Sequence, residues 1–157
     1  YMKLNVLGID DFLIEYLIEL YIDNEKFQYI KKDGTMSYKL DKLQFIFKHK
    51  LNYFKESNLE FFNDNSGIII IFKTNDIKNV KNIWLSEILN NLVNENTPIL
   101  FLQINQSINK NEIILPMEFL DKYKYITQVF AINDDKCLIK NIINNFIKKI
   151  EKIEKIK

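Results

Sequence analysis

Residues 68–72 of this 157-residue chain have the sequence Ile-Ile-Ile-Ile-Phe, a run of five apolar side chains. A strand with one face in water alternates apolar and polar residues, whereas an unbroken apolar run predicts a strand that is buried on both faces. Such strands are typical of the middle of a parallel sheet. Further apolar segments at 98–104 and 126–132 predict two more strands of this sheet.

Helical patterns separate these strands. Apolar or aromatic residues recur at helical spacing in residues 12–22, 51–62, 77–92, 116–123 and 139–153. Further strands are predicted at 3–7 and at 36–40 and 43–47, the last two forming a hairpin. This order predicts an α/β fold, a three-layer α/β/α sandwich with a mostly parallel six-stranded sheet and one antiparallel edge hairpin. The length fits one domain over residues 1–157.

Charge and cysteine content argue against several classes of function. The chain has 22 Lys and Arg against 21 Asp and Glu, so no excess of positive charge favours nucleic acid. Cys137 is the only cysteine and His49 the only histidine, which excludes an internal disulfide and a recognisable zinc site. No signal peptide or membrane-spanning apolar run is visible. We expect an intracellular protein, cytoplasmic or nuclear, without direct membrane insertion.

The order of elements and several short segments point to one family. The first strand ends at Gly8 and leads into a helix, and a hairpin and three strand–helix units follow. The segment FFNDNSG at 61–67, the turn Thr74-Asn75-Asp76 and Trp84 are similar to positions in Rab and Arf proteins. The chain thus resembles the Ras superfamily of small GTPases over nearly its whole length, and this resemblance implies the P-loop-GTPase-like sandwich.

The phosphate-binding motif of that family departs from its pattern here. The motif is G-x-x-x-x-G-K-[ST], and Gly8 matches its first glycine. Leu13, Ile14 and Glu15 stand at the positions of the second glycine, the lysine and the hydroxyl residue. Leu13 adds bulk where the backbone must turn tightly, Ile14 lacks the cation, and Glu15 lacks the hydroxyl that binds Mg²⁺. The resemblance therefore implies a degenerate P-loop.

Three carboxylates near the first loop are a further departure from the phosphate-binding motif. Asp10, Asp11 and Glu15 lie near the N-terminus of the first helix, which would otherwise attract an anion. Asp10 or Asp11 can cap that helix, since a carboxylate accepts hydrogen bonds from its first free N–H groups. A carboxylate in this place satisfies the donors and repels a triphosphate.

The other nucleotide motifs of the family are also incomplete. Residues 47–53 contain no D-x-x-G, and the late S-A-K motif corresponds to Ala-Ile-Asn at 131–133. In the base-binding motif N-K-x-D only Asn105 remains, because Gln106 and Ile108 stand where the lysine and the aspartate would be. The resemblance implies a pseudo-GTPase that is not an enzyme, with no nucleotide, cofactor or metal bound. Centromere protein M is similar in its degenerate first loop.

Two groups of apolar residues are candidate binding sites for a protein partner. Leu51, Tyr53 and Phe54 lie where a small GTPase has its switch II region, and they predict a permanent protein-binding surface. Ile153 and Ile156 continue the apolar stripe of the last helix and could dock a partner helix. The alternative for the first group is packing on the sheet and the third helix, and for the second group it is an ordinary amphipathic end of the last helix.

Three hypotheses for function follow. The first is a non-catalytic GTPase-like subunit of a larger complex, which presents its surfaces to protein partners. The second is a divergent Rab- or Arf-like trafficking GTPase that binds nucleotide in an unusual way. The third is a degenerate receiver-like signalling domain, because Asp10-Asp11 after a first strand also resembles the acid pair of response regulators. Strand order 2-1-3-4-5 without an antiparallel edge hairpin would favour that hypothesis.

Overall fold

The computed structural model describes residues 2–8, 10–32, 34–48, 65–73, 94–105, 117–132 and 135–156. Its strands are β1 (Met2–Gly8), β2 (Gln28–Lys32), β3 (Thr35–Lys39), β4 (Leu43–Lys48), β5 (Gly67–Lys73), β6 (Ile99–Asn105) and β7 (Ile126–Ile132). The helices within the described residues are α1 (Asp11–Ile22), α2 (Met117–Lys122) and α3 (Lys136–Ile156). The predicted helices at 51–62 and 77–92 lie outside these residues.

The strands form one mixed sheet in the order β2-β3-β4-β1-β5-β6-β7. β4, β1, β5, β6 and β7 run parallel to one another, whereas β2 and β3 add an antiparallel edge beside β4. The predicted fold class, a mostly parallel sheet with an antiparallel edge hairpin, is therefore confirmed. The antiparallel edge formed by β2 and β3 argues against the receiver-like hypothesis, although the five parallel strands taken alone have the order 2-1-3-4-5.

Within the described residues the sheet has seven strands, one more than the predicted six. The strand that was missed is β2, whose sequence Gln-Tyr-Ile-Lys-Lys has all five residues exposed. An exposed strand buries neither face, so it carries no apolar alternation that a sequence pattern could show. It forms because a tight turn returns the chain along β3. Gly34 in this turn has φ 76°, a left-handed conformation that glycine adopts without steric cost.

Contacts between aromatic rings help to hold β2 to the rest of the sheet. Tyr29 lies opposite Tyr38 in the β2–β3 ladder, with ring centroids 4.9 Å apart. Phe27 also contacts Tyr38, at 5.6 Å, and Phe47 of β4 stacks on Tyr38 at 6.4 Å. Aromatic cross-strand pairs of this kind each contribute roughly 0.2–1 kcal/mol. These aromatic contacts lie on one face of the sheet.

The main core lies between the sheet and the helices α1 and α3. Both helices bury an apolar stripe there, and the α3 stripe is the predicted one: Ile139, Ile142, Ile143, Phe146, Ile150 and Ile153. α3 approaches β5 so closely that a Cβ on Gly67 would lie 2.7 Å from Ile150 Cδ1. Side chains on the opposite face of β5 and β6, such as Ile70 and Phe101, are buried as well. The strand 68–72 is therefore buried on both faces, as predicted.

Candidate functional site

The junction between β1 and α1 is the place where the sequence predicts a degenerate phosphate-binding loop. β1 ends at Gly8 and α1 begins at Asp11, so only residues 9 and 10 separate strand from helix. The positions that correspond to the later part of a P-loop, from Asp11 onward, are already helical. The predicted helix start at Phe12 is thus one residue late.

Asp10 caps α1, as predicted. Its Oδ1 accepts hydrogen bonds from the backbone N–H groups of Phe12, at 3.0 Å, and Leu13, at 3.3 Å. The backbone oxygen of Asp10 accepts from the N–H of Ile14 at 3.1 Å. These contacts satisfy N–H donors that a helix N-terminus otherwise offers to an anion. Asp11 is half-buried in the first turn and provides none of these cap contacts.

Lys73 completes this arrangement from the neighbouring strand. Its Nζ lies 3.6 Å from Oδ2 of Asp10, and both side chains are about one-third exposed, at 35% and 36%. Lys73 ends β5, which pairs with β1 through Gly8 opposite Ile71. The carboxyl ends of adjacent parallel strands meet at one edge of the sheet, which brings the two side chains together. The positive end of the helix and a lysine therefore both face the Asp10 carboxylate.

Leu13 and Ile14 point into the core and not toward the carboxyl edge of the sheet. Leu13 is 7% exposed and Ile14 is fully buried. A Cβ on Gly8 would lie 2.9 Å from Ile14 Cγ1 and 3.1 Å from the Ile71 backbone oxygen. Gly8 thus leaves room for the Ile14 side chain to cross the end of β1. In this junction a glycine is needed for packing between helix and strand.

Glu15 lies on the side of α1 that faces the edge hairpin. Burial raises the pKa of the Tyr38 hydroxyl, and the negative charges of Glu19 and then Glu15 raise it further. Tyr38 also donates a hydrogen bond to Glu19 Oε1 at 3.4 Å. The acidic side of α1 is therefore coupled to the aromatic rings of the hairpin.

The end of β6 carries two buried amides on the face opposite α1. Gln103 Nε2 donates to Asn105 Oδ1 at 3.2 Å, and both side chains are buried. Asn105 is the remaining residue of the predicted base-binding motif. Gln106 and Ile108 of that motif lie outside the described residues.

The predicted partner-binding residues divide between described and undescribed parts of the chain. Leu51, Tyr53 and Phe54 lie outside the described residues, so their role stays a prediction. Ile153 is 8% exposed and lines a cavity of about 70 Å³ together with Ile150, whereas Ile156 is 85% exposed. Of these two isoleucines, only Ile156 offers accessible apolar surface.

The sequence did not predict that Lys73 and Phe12 lie at the carboxyl edge of the sheet, beside the β1–α1 junction. The one signal for Lys73 is its position at the end of a strand next to β1, and this neighbourhood follows only from the sheet order. Phe12 is 83% exposed in the first turn of α1, although the apolar pattern of 12–22 suggests a core residue. Its helical phase relative to Leu13, Ile14 and Leu17 places it on the solvent side.

Two further features concern the described residues only. No group of three or more His, Cys, Asp or Glu side chains there is arranged to hold a metal ion. No helix in that part of the chain has the length and apolar character needed to cross a membrane.

Comparison with known proteins gives a match in structure and none in sequence. No protein-family model and no curated protein matches the chain. A solved structure that matches is an ADP-ribosylation-factor-like GTP-binding protein, the small COPII coat GTPase SAR1 of Encephalitozoon cuniculi, in complex with GDP. Its TM-score is 0.71 at 12% sequence identity, over 97% of this chain and 79% of that chain. At this identity the match shows the fold alone.

Proposed function

We propose that this chain, whose fold resembles Arf-like small GTPases, is a non-catalytic pseudo-GTPase that binds no GTP and acts as a protein-binding subunit of a larger complex. The observation that carries the proposal is the Asp10 cap. Its carboxylate takes hydrogen bonds from Phe12 and Leu13 at the helix terminus where a GTPase of this fold would place phosphate. A phosphate there would have to displace this carboxylate and would meet its negative charge.

The packing of α1 supports the same proposal. A P-loop needs a turn of backbone N–H groups around the phosphate and a lysine that reaches it. Here two residues join β1 to α1, and the residue at the lysine position, Ile14, is buried in the core. Rebuilding such a loop would require unwinding the first turn of α1 and exposing Leu13 and Ile14. Both changes would cost stability.

Exposed apolar side chains support a role in binding other proteins. Phe12 at the carboxyl edge of the sheet and Ile156 near the end of α3 are each more than four-fifths exposed, at 83% and 85%. Aromatic side chains such as Phe12 are enriched at protein interfaces, and Ile156 offers a further apolar contact. Leu51, Tyr53 and Phe54 remain part of this proposal as the predicted switch-II-like surface. The net charge of +1 gives no reason to expect nucleic acid as a partner.

Titration calorimetry tests the first half of the proposal. Purified protein, checked by mass spectrometry for co-purified nucleotide, is titrated with GTP and with GDP in the presence of Mg²⁺. The SAR1 protein of Encephalitozoon cuniculi, which was solved in complex with GDP, is the positive control. We expect no heat of binding up to roughly 1 mM ligand, about the limit of −4 kcal/mol in binding free energy. Micromolar affinity would overturn the proposal.

The second half is tested by surface variants. Phe12→Ala and Ile156→Ala remove exposed side chains, so they should leave the fold intact while reducing capture of partner proteins from an extract of the source cell. Tyr16→Ala, at a partly exposed position of α1, is the matched control for Phe12→Ala. Capture that is unchanged in both variants would argue against these two surfaces.

One observation favours the second candidate, a divergent GTP-binding protein: the matching SAR1 structure contains GDP. In that case nucleotide would have to bind through main-chain groups and without a P-loop lysine. Asp10→Ala distinguishes the candidates. If nucleotide binds at the α1 terminus, removal of the competing carboxylate should strengthen binding. If the site does not bind nucleotide, Asp10→Ala should bind as little as the wild type.

A further inference from the structure

Among the described residues β2 is the outermost strand at one end of the sheet, and its outer backbone edge can pair with another strand. All five of its residues are exposed, and its inner side pairs with β3 from Gln28 opposite Lys39 to Lys32 opposite Thr35. An edge strand of this kind presents unpaired N–H and C=O groups and is a template for pairing. Ile30, at its centre, is 41% exposed and adds an apolar side chain to this edge.

The hairpin turn determines which residues of β2 direct their backbone groups outward. Lys32 and Thr35 flank the two-residue turn that contains Gly34, and a turn of this length is closed by a hydrogen bond between its flanking residues. Hydrogen-bonded and non-hydrogen-bonded pairs alternate along an antiparallel ladder. Lys32, Ile30 and Gln28 therefore bond to β3. Tyr29 and Lys31 direct their N–H and C=O groups to the free edge.

We propose that β2 pairs antiparallel with β2 of a second copy of this chain, about a two-fold axis at Ile30. This antiparallel register pairs every residue of both strands: Gln28 with Lys32, Tyr29 with Lys31, and Ile30 with its own symmetry mate. Tyr29 and Lys31 both face outward, so each of their two symmetry-related pairs exchanges both backbone hydrogen bonds. The Ile30 side chains meet at a non-hydrogen-bonded pair, where cross-strand side chains are closest.

The lysines of β2 are compatible with this register. Lysine on an edge strand deters pairing when it faces another lysine. Here Lys31 faces Tyr29 of the second copy, and Lys32 faces Gln28. A Lys31 ammonium beside a tyrosine ring can form a cation–π contact. Pairing shifted toward the turn by one residue in each strand would instead place Lys31 opposite Lys31.

The surroundings of Tyr29 also suit an incoming lysine. Its ring packs against Tyr38 at 4.9 Å, and Tyr38 donates a hydrogen bond to Glu19 of α1. Lys31 of the second copy would enter on this same face of the sheet, because Tyr29 and Lys31 are two residues apart in one strand. It would thus approach an aromatic surface backed by carboxylate charge. This complementarity favours a second copy of the chain over an acidic strand from another protein.

The size of the contact predicts a weak dimer. Stable interfaces bury upward of about 1,000 Å². A ladder of five residues is at the small end of that scale, so the dimer should form only at high protein concentration. It does not involve the β1–α1 junction and is independent of nucleotide binding. The calorimetric result therefore neither supports nor weakens it.

Disulfide cross-linking tests the register. Ile30→Cys is introduced in a Cys137→Ser background, because Cys137 is free and exposed. At a non-hydrogen-bonded pair the Cα atoms are about 4.5 Å apart, within the range that a disulfide spans. We expect a disulfide-linked dimer after mild oxidation, seen on a non-reducing gel and by intact mass. Gln28→Cys is the matched control, since its symmetry mate would lie roughly 13 Å away along the strand. Equal cross-linking at both positions, or none at position 30, would overturn the proposal.

Sedimentation velocity over a concentration series tests pairing in the wild-type protein. Lys31→Pro removes an outward N–H, which an edge strand tolerates, and should reduce the dimer at least tenfold. Lys31→Gln keeps the N–H and should retain the dimer. Added salt screens both the repulsion among the lysines and the attraction of Lys31 to Glu19, so self-pairing should change little, whereas binding of an acidic strand would weaken. A wild type that stays monomeric up to roughly 1 mM, or that equals Lys31→Pro, would show that β2 does not self-pair.

Discussion

The β1–α1 junction and the β2–β3 hairpin belong to the same sheet but hold their shape in different ways. At the junction, Ile14 is fully buried and crosses the backbone of Gly8. In the hairpin, β2 buries none of its side chains and depends on backbone pairing, a glycine turn and aromatic contacts. The junction is therefore determined by core packing, whereas the hairpin edge is determined by local backbone geometry.

This difference bears on function. A junction locked by packing cannot open to hold a ligand without loss of core contacts, and this argues for a structural role of α1. An edge held by backbone pairing can accept another strand at little cost, because no side chain has to leave the core. The two regions therefore support the proposed function, in which protein partners bind the surface of the fold and no nucleotide binds at the β1–α1 junction.

The largest effect is expected from a matched pair of isoleucines. Ile14→Ala removes a fully buried side chain from the junction and should lower the free energy of unfolding by about 2–5 kcal/mol. Ile30→Ala, in the hairpin at 41% exposure, should cost less than about 1 kcal/mol. Urea denaturation at a low protein concentration measures both. Similar losses for the two variants would break the contrast between the regions.

A matched pair of glycines gives the next largest effect. Gly8→Ala places a Cβ 2.9 Å from Ile14 Cγ1 and should cost about 1–3 kcal/mol through overpacking. Gly34→Ala forces an L-residue to φ 76° and should cost roughly 1–2 kcal/mol through backbone strain.

The two glycine effects differ in their cause, and a double-mutant cycle separates them. Ile14→Ala removes the two side-chain atoms that the new Cβ of Gly8→Ala would meet and leaves the contact with the Ile71 backbone oxygen, so these two substitutions should cost less together than the sum of their single costs. Gly34→Ala and Ile14→Ala should be additive, because they touch different parts of the sheet. Additivity in both cycles would contradict the packing role of Gly8.

The same contrast explains what the sequence could predict. The apolar run of residues 68–72 and the helical spacing of the α3 stripe reveal that these residues are buried. The fold class and the five parallel strands therefore follow from the sequence. β2 could not be found in this way, since Tyr29, Ile30 and Lys31 are all exposed and show no buried face. Local turn chemistry at Gly34 was the one available signal.

At the candidate site, the roles of residues within α1 could be predicted from the sequence, whereas contacts between distant parts of the chain could not. The Asp10 cap follows from an aspartate just before an apolar helix, and the burial of Leu13 and Ile14 follows from their helical spacing. The approach of Lys73 to Asp10 joins residues 63 positions apart and depends on β5 lying beside β1. Only the sheet order reveals such a pair.

Substitutions of Asp10 should change the free energy of unfolding by less, and they test how the junction is held. Asp10→Ala removes the cap of α1 and should cost about 0.5–2 kcal/mol. Asp10→Asn keeps an acceptor for the N–H groups of Phe12 and Leu13 and loses only the charge that faces Lys73. Because that ion pair is one-third exposed, Asp10→Asn should cost well under 1 kcal/mol. Denaturation curves at low and high salt would distinguish the contribution of the cap hydrogen bonds from that of the ion pair with Lys73. A larger loss for Asp10→Asn than for Asp10→Ala would contradict the cap as the main role.

The smallest effect at neutral pH concerns Tyr38, where the two regions meet. Its hydroxyl donates a weak hydrogen bond of 3.4 Å to Glu19 of α1, so Tyr38→Phe should cost less than about 1 kcal/mol at pH 7. The effect should change with pH. Burial and the charges of Glu19 and Glu15 raise the pKa of Tyr38 in the folded state. The stability that comes from this shift is present below the unfolded pKa of about 10, and it is lost as pH rises from there toward the folded pKa.

This loss of stability at alkaline pH is a measure of the contact between the hairpin and α1. Burial also raises the pKa of Tyr123 to about 12 and that of Tyr21, so the wild type should lose stability above pH 10 at several tyrosines. Tyr38→Phe should flatten this loss, and Glu19→Gln should flatten it only in part, because burial is the larger cause. Denaturation between about pH 7 and pH 11.5 measures the slope. If Tyr38→Phe leaves the alkaline slope unchanged, Tyr38 is not held between the hairpin and the acidic side of α1, and the two regions are independent.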